Sequence, residues 1–179
     1  EVKKLLFGDN NSILSENTLV TVQSLGGTGA LRVGAEMLKT FSPNSTIAIS
    51  DPSWENHRSI FESVGLKVVT YPYYDNSKKK IKHTEFLDKL ITLPEQSTII
   101  LHACCHNPTV LDLKNSQWNE VLSVMEEKNH IPFLDIAYQG FKDGIDEDAE
   151  IIRRFVSRIR PTFVASSFSK SLSLYGERV

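Results

Sequence analysis

The sequence predicts an α/β fold, a mostly parallel sheet sandwiched by helices. Three observations lead there. Short apolar stretches rich in β-branched residues alternate with amphipathic ones along most of the 179 residues. Pro43, Pro52, Pro72, Pro94, Pro132 and Pro161 fall at or near the boundaries between these stretches, where a missing N–H is tolerated. Polar residues then gather where the apolar stretches end, and open α/β sheets bind ligands outside the carboxyl ends of their strands.

The elements follow in order. A helix is expected from about Thr28 to Lys39, opened by the run Gly26-Gly27-Thr28-Gly29-Ala30, and a strand from Thr46 to Ser50 stops before Pro52. Helix Glu55 to Val64 leads to strand Lys67 to Tyr71, closed by Pro72, and helix Thr84 to Ile91 stops short of Pro94. Strand Thr98 to Ala103, helix Ser116 to Lys128 and strand Pro132 to Asp135 come next. Helix Glu147 to Ile159 and strand Thr162 to Ser166 complete the pattern, with Pro161 between them. No internal repeat interrupts it, and no linker is long enough to separate two domains.

Composition narrows the functional classes. The chain is 40% hydrophobic and 23% charged, ordinary for a globular domain with a core. A formal charge of -2 with a pI near 6.2 gives no electrostatic case for nucleic acid or an anionic membrane, and Lys78-Lys79-Lys80-Ile81-Lys82 reads as a solvated loop. The two cysteines, Cys104 and Cys105, are adjacent, a spacing that rarely permits an unstrained disulfide, so a reducing, cytoplasmic setting is expected. No apolar run approaches the roughly 20 residues that span a bilayer. The chain starts at Glu1 rather than methionine, which leaves a removed leader, organellar import or an upstream domain open.

The chemistry-bearing residues lie at the ends of expected strands. Lys170, in Ser166-Ser167-Phe168-Ser169-Lys170, is followed eight residues later by Arg178. A lysine among small hydroxyls with an arginine close behind suits a phosphorylated aldehyde such as pyridoxal phosphate, although the segment also reads as a solvated lysine in a polar loop. The glycine run before the first helix resembles a phosphate cup, since backbone N–H groups and the helix dipole favour an anion there, and a plain helix cap is the alternative. Asp135 closes an apolar strand and needs a partner: a pyridinium nitrogen would serve, or the residue caps a turn. Tyr138 could reach a ring phenolic oxygen, as could Asn107 in the turn His106-Asn107-Pro108-Thr109, and Trp54 could stack on a flat heterocycle. The five histidines show no metal-ligand spacing, and no metal is expected.

Taken in order, Gly26-Gly27-Thr28-Gly29-Ala30-Leu31-Arg32, Pro52-Ser53-Trp54 with Asn56-His57, and His102-Ala103-Cys104-Cys105-His106-Asn107-Pro108-Thr109 resemble the class I aminotransferases, in the aspartate and aromatic branch. Asp135 with Ala137-Tyr138-Gln139-Gly140-Phe141, and Ser167 to Lys170 with Leu174-Tyr175 and Glu177-Arg178-Val179, complete the resemblance. It implies the large domain of the pyridoxal-phosphate-dependent transferase fold type I over residues 1 to 179. Lys170 would form the Schiff base and shuttle the substrate proton. Asp135 would pair with the pyridine nitrogen, backed by His57 and His102, while Tyr138 and Asn107 would hold the phenolic oxygen. Trp54 would stack on the ring and, with Asn107, help receive the substrate carboxylate. Gly27, Thr28, Ser167, Ser169 and Arg178 would surround the phosphate.

Two departures from the family pattern stand out: Val110 where glycine usually follows Asn-Pro-Thr, and Gly26 where many relatives carry serine. β-Branched Val110 would resist any positive φ that a glycine serves. The resemblance further implies an N-terminal segment, a small domain bearing a carboxylate-binding arginine and a partner subunit, so an incomplete enzyme, inactive alone and working as a homodimer, is expected. Its reaction would convert L-aspartate and 2-oxoglutarate to oxaloacetate and L-glutamate. Aromatic amino acids are the alternative substrates, to which Gly176 inclines, and a non-catalytic module that binds the cofactor or only dimerises is the other alternative.

Overall fold

The structure, a computed structural model, describes residues 1–16 and 18–179. Five strands form one parallel sheet: β1 (Thr46–Asp51), β2 (Lys67–Pro72), β5 (Thr98–His102), β6 (Ile131–Ile136) and β7 (Phe163–Ser166). Their order is β2-β1-β5-β6-β7. The chain therefore grows in one direction from β1 to β2 and in the other from β5 onward, which leaves a switch point between β1 and β5.

Side-chain alternation assigns the two faces of the sheet. Ile47 and Ile49 of β1, Ile100 of β5 and Phe133 of β6 pack with Leu31, Ala35 and Leu38 of α2 (Gly26–Phe41) and with Ile60 and Phe61 of α3 (Glu55–Glu62). Ala48, Ile99, Leu101 and Leu134 face the opposite layer, built from α1 (Val2–Phe7), α4 (His83–Thr92), α5 (Asn115–Glu127) and α6 (Glu150–Arg158). Each fully buried large apolar side chain contributes about 1.5 to 3 kcal/mol. Burial on both faces explains why β6 reads as a continuous apolar run.

Glycine decides how closely α2 approaches the sheet. A Cβ at Gly34 would stand 2.5 Å from Phe133 Cζ, so any larger residue must push the ring away. At the start of α2 a Cβ at Gly27 would lie 3.2 Å from Ser167 Cβ, which puts the helix N-terminus beside the end of β7.

The structure moves several expected boundaries and adds four short elements. Helix α2 begins at Gly26 rather than Thr28, α4 at His83, α5 at Asn115, and α6 at Glu150 rather than Glu147, because residues 145–149 form turns closed by backbone bonds, Asp148 N–H to the Gly144 carbonyl and Ala149 N–H to the Asp146 carbonyl. Helix α1, the 3₁₀ turn Ser12–Leu14 and the two-residue pair β3 (Tyr74–Asp75) and β4 (Lys80–Ile81) are additional. Part of the lysine run thus lies in an antiparallel hairpin; Asp75 Oδ1 accepts the backbone N–H groups of Ser77 and Lys78 and closes its turn. The lysines stay outside the core, Lys78 to Lys80 exposed and Lys82 half-buried. The outer edge of β7 borders a groove of about 820 Å³ whose other wall is the extended segment 18–24.

Candidate active site

The site lies where the parallel strands end. His102 is the last residue of β5 and sits in register with Asp135 of β6, so both side chains project on the α2 and α3 side of the sheet. His57, in the first turns of α3, meets them there: its Nε2 lies 2.9 Å from Asp135 Oδ2 and its Nδ1 lies 2.9 Å from Ser53 Oγ. Asp135 is 7% exposed and His57 is fully buried. The carboxylate is therefore paired on one side and open toward a cavity on the other.

One cavity is lined by Trp54, His102, Asn107, Asp135, Tyr138 and Lys170, with Gly27, Thr28, Ser167, Ser169 and Arg178 at its far end. Residues spread over more than 150 positions of sequence thus converge on one space. His57 does not line it but stands behind Asp135. The edge of Trp54 meets His57, with ring centroids 5.4 Å apart.

The far end is built for an anion. No side chain caps the N-terminus of α2, whose first backbone N–H groups lack intrahelical acceptors. Gly26 holds φ +65°, its N–H donates to the Arg178 carbonyl at 2.7 Å, and a Cβ there would sit 3.0 Å from an Arg178 guanidinium nitrogen. Any side chain at this position would have to displace the guanidinium slightly. A guanidinium held against the positive end of a helix is repelled unless an anion lies between them. Ser167 and Ser169, both buried and hydrogen-bonded to each other at 3.1 Å, add hydroxyls to the same place.

Lys170 Nζ lies 5.1 Å from the ring centre of Tyr138 and 5.5 Å from that of Tyr175. Arg178 also lies over the Tyr175 ring, at 5.4 Å, so both cations are held against one aromatic side chain. Tyr175 carries no signal in the sequence beyond its place five residues after Lys170 and three before Arg178. His106 likewise stands out only through its partners. Its Nε2 lies 2.9 Å from Ser50 Oγ and its Nδ1 2.8 Å from Thr109 Oγ1, and its ring stacks on Tyr73 at 3.9 Å.

Val110 does adopt the positive φ that its β-branched side chain resists, at +61°. It is 75% exposed, and its N–H donates to the His106 carbonyl at 2.6 Å, so the turn's own hydrogen bond holds it there.

Burial controls the electrostatics of the ring cluster. It pushes the His102 ring down to about 3, helped by nearby His106 and His57, and does the same to His106, also to about 3. Both nitrogens of His102 are buried without a hydrogen-bond partner. A folded-state value below the ordinary 6.5 means that the unfolded chain binds more protons between those limits. Stability is accordingly expected to be full above 6.5 and to fall as pH drops from there toward 3. Urea midpoints across that window check this, and His102→Asn, which removes one of the two rings, is expected to flatten the slope. A slope unchanged in the variant would contradict the assignment.

His57, His102 and Asp135 are also the one grouping among the described residues with metal-ligand donors, their atoms lying within 4.8 Å of one another. Since His57 Nε2 already engages the carboxylate, the geometry works as a buried support for Asp135. The remaining face of that carboxylate, the unpartnered His102 and the anion end together fit a flat, cationic heterocycle carrying a phosphate.

Comparison with known proteins agrees with this geometry. The aminotransferase class I and II family matches residues 1–179. Aspartate aminotransferase of Pseudomonas aeruginosa is 53% identical over 178 residues, covering 99% of this chain and 45% of that protein. The aromatic-amino-acid aminotransferase of Escherichia coli is 49% identical with the same coverage. An aromatic-amino-acid aminotransferase from Burkholderia pseudomallei, solved covalently bound to pyridoxal phosphate, superposes with a TM-score of 0.97 at 49% identity, over 99% of this chain and 45% of that one. The chain therefore spans a little under half the length of these relatives, and its sheet and helices are those of fold type I. By its sequence and its fold, the chain belongs to the aminotransferase class I and II family.

Proposed function

We propose that the protein uses pyridoxal phosphate to move an amino group from L-aspartate to 2-oxoglutarate, giving oxaloacetate and L-glutamate. The observation that carries this reading is the buried Asp135 carboxylate, held by His57 at 2.9 Å on the floor of a cavity that Lys170 and Arg178 also line. The names of the Pseudomonas, yeast and Haemophilus relatives, all aspartate aminotransferases, favour aspartate as donor. Aromatic substrates are the second reading, favoured by Gly176 and by the Escherichia coli and Burkholderia relatives.

When bound, the cofactor supplies an electron sink for the bond that breaks at the substrate α-carbon. The chain's residues do the rest. Asp135 keeps the pyridine nitrogen protonated, and His57, donating from Nε2 while Ser53 holds Nδ1, fixes the carboxylate in place. The Tyr138 hydroxyl and the Asn107 amide donate to the phenolic oxygen and favour its ionised form. Gly27, Thr28, Ser167, Ser169 and Arg178 would bind the phosphate. Trp54 would stack on the ring and, with Asn107, take the substrate carboxylate. Lys170 Nζ holds the cofactor covalently and then takes and returns the proton of the substrate α-carbon. A homodimer and a cytoplasmic setting belong to the same proposal. Relatives named for the cytoplasm and for the mitochondrion both occur, so the name of the family does not choose the compartment.

The test is an absorbance spectrum of the purified chain with pyridoxal phosphate, followed by borohydride reduction and peptide mapping. One covalent adduct, on Lys170, is expected. An adduct scattered over Lys78 to Lys80, or none, would favour a scaffold that does not bind the cofactor by itself.

A further inference from the structure

Two loops carry the groups assigned to the phenolic oxygen, and each is folded around a buried aspartate. In the loop after β5, the Asp112 carboxylate accepts the backbone N–H of Cys105 at Oδ2 and of His106 at Oδ1, both at 2.9 Å, immediately before Asn107. In the loop after β6, the Asp148 carboxylate accepts the N–H groups of Gly140 and Lys142 at Oδ2, at 2.8 and 3.1 Å, and of Asp143 at Oδ1 at 3.0 Å. Tyr138 begins this second loop and is tied into it by the Phe141 N–H, which donates to the Tyr138 carbonyl at 3.1 Å. Asn107 and Tyr138 therefore owe their places to separate carboxylate clamps.

A single side chain joins the clamps. Lys142, whose backbone is held by Asp148, extends its Nζ to within 3.4 Å of Asp112 Oδ2. The Asp112 side chain is 6% exposed while that of Lys142 is 43% exposed. The neighbouring Asp143 carboxylate also lies 3.4 Å from Nζ, so the ammonium bridges its own loop to the other one. Asp112 has thus spent each oxygen on the loop that holds Asn107 and still faces the cation of the loop that holds Tyr138. A carboxylate deep enough to be almost fully buried needs a countercharge, and Lys142 is the one that reaches it.

We propose that Asp112 and Lys142 are positioning residues that couple the two loops, so that the spacing of Asn107 and Tyr138 across the cavity is set by one ion pair. This rests on the cofactor reading above for its consequence, although the coupling itself concerns the chain alone. Neither residue lines the cavity, and both act through the backbone they hold.

The test compares Lys142→Met, Asp112→Asn and the double variant by amide hydrogen exchange on the cofactor-free chain. Lys142→Met is expected to speed exchange of the Cys105 and His106 N–H groups by about fivefold, the effect of losing one partly exposed ion pair, although the substitution lies in the other loop. Asp112→Asn is expected to loosen Gly140 to Asp143 as well as its own loop, and the double variant should exceed neither single one by much. Lys142→Arg should restore slow exchange. Lys142 is half-exposed, so its variants test the idea even if Asp112→Asn fails to fold. The second readout is the pH at which the long-wavelength band of the Lys170 adduct, that of the protonated imine, is lost: donors to the phenolic oxygen weaken its hold on the imine proton, so this transition should move to higher pH in Lys142→Met and return in Lys142→Arg. Exchange changes confined to the mutated loop, additive in the double variant, would overturn the proposal. An absent adduct in the unaltered chain would instead overturn the cofactor reading, leaving coupled exchange to stand on its own.

Discussion

Lys170→Ala is expected to lower aspartate-dependent amino transfer by about 10⁴-fold or more, measured by oxaloacetate formation in the protein that shows transfer. General acid–base catalysis by one positioned side chain contributes about 10² to 10⁴, and here the same amine also provides the covalent attachment. No second amine lines the cavity to replace it: Nζ lies over the rings of Tyr138 and Tyr175, and the other cation there, Arg178, stays protonated. The fold should be untouched, because Lys170 sits beyond the end of β7 in a turn rather than in the core. Far-UV circular dichroism and the urea midpoint would show this. A variant that folds normally and retains undiminished transfer would refute the enzymatic reading of the site.

Asp135→Ala is expected to be the second largest loss, and it should act on stability and cofactor retention together. The substitution leaves His57 buried with Nε2 facing an empty position and Nδ1 still engaged by Ser53. Removing one partner of a buried pair costs about 3 to 5 kcal/mol, and if that much is lost in the transition state the rate falls by about 10² to 10⁴. Asp135→Asn separates the two effects. The amide can still accept a hydrogen bond from His57, so the urea midpoint should recover most of its value. An amide cannot hold the proton on a pyridine nitrogen, so transfer should stay low. Recovery of both in Asp135→Asn would show that the carboxylate is only structural.

The contrast between these two positions and the loop clamps shows how differently parts of the site were written into the chain. Asp135 was legible as an acid closing an apolar run, Lys170 as a lysine among small hydroxyls just past one, and Arg178 by its spacing behind Lys170, and the topology of parallel sheets sends strand ends to one edge. The phosphate end was legible in part, because a glycine run opening a helix offers free backbone N–H groups to an anion. The β3 and β4 pair was not legible, since two-residue strands carry no period and the hairpin depends on the Asp75 carboxylate closing a turn. Tyr175, His106, Asp112 and Lys142 escaped because their importance lies in partners. Nothing in Asp112 by itself announces that it accepts two N–H groups from one loop and faces a cation from another.

The α/β class, the order of the five sheet strands and the helices between them, and the residue types able to perform the chemistry could all be read along the chain. These depend on local composition: β-branched runs, amphipathic spacing and proline at boundaries act over a few residues. Folding is what brings His57 to Asp135 across 78 positions, lays α2 against β6 where Gly34 has no side chain, and sets Arg178 beside the start of that helix. Strand order, register and helix approach are set by burying apolar faces on both sides of one sheet. That burial is a property of the assembled chain, to which each local pattern contributes a face but not its neighbour.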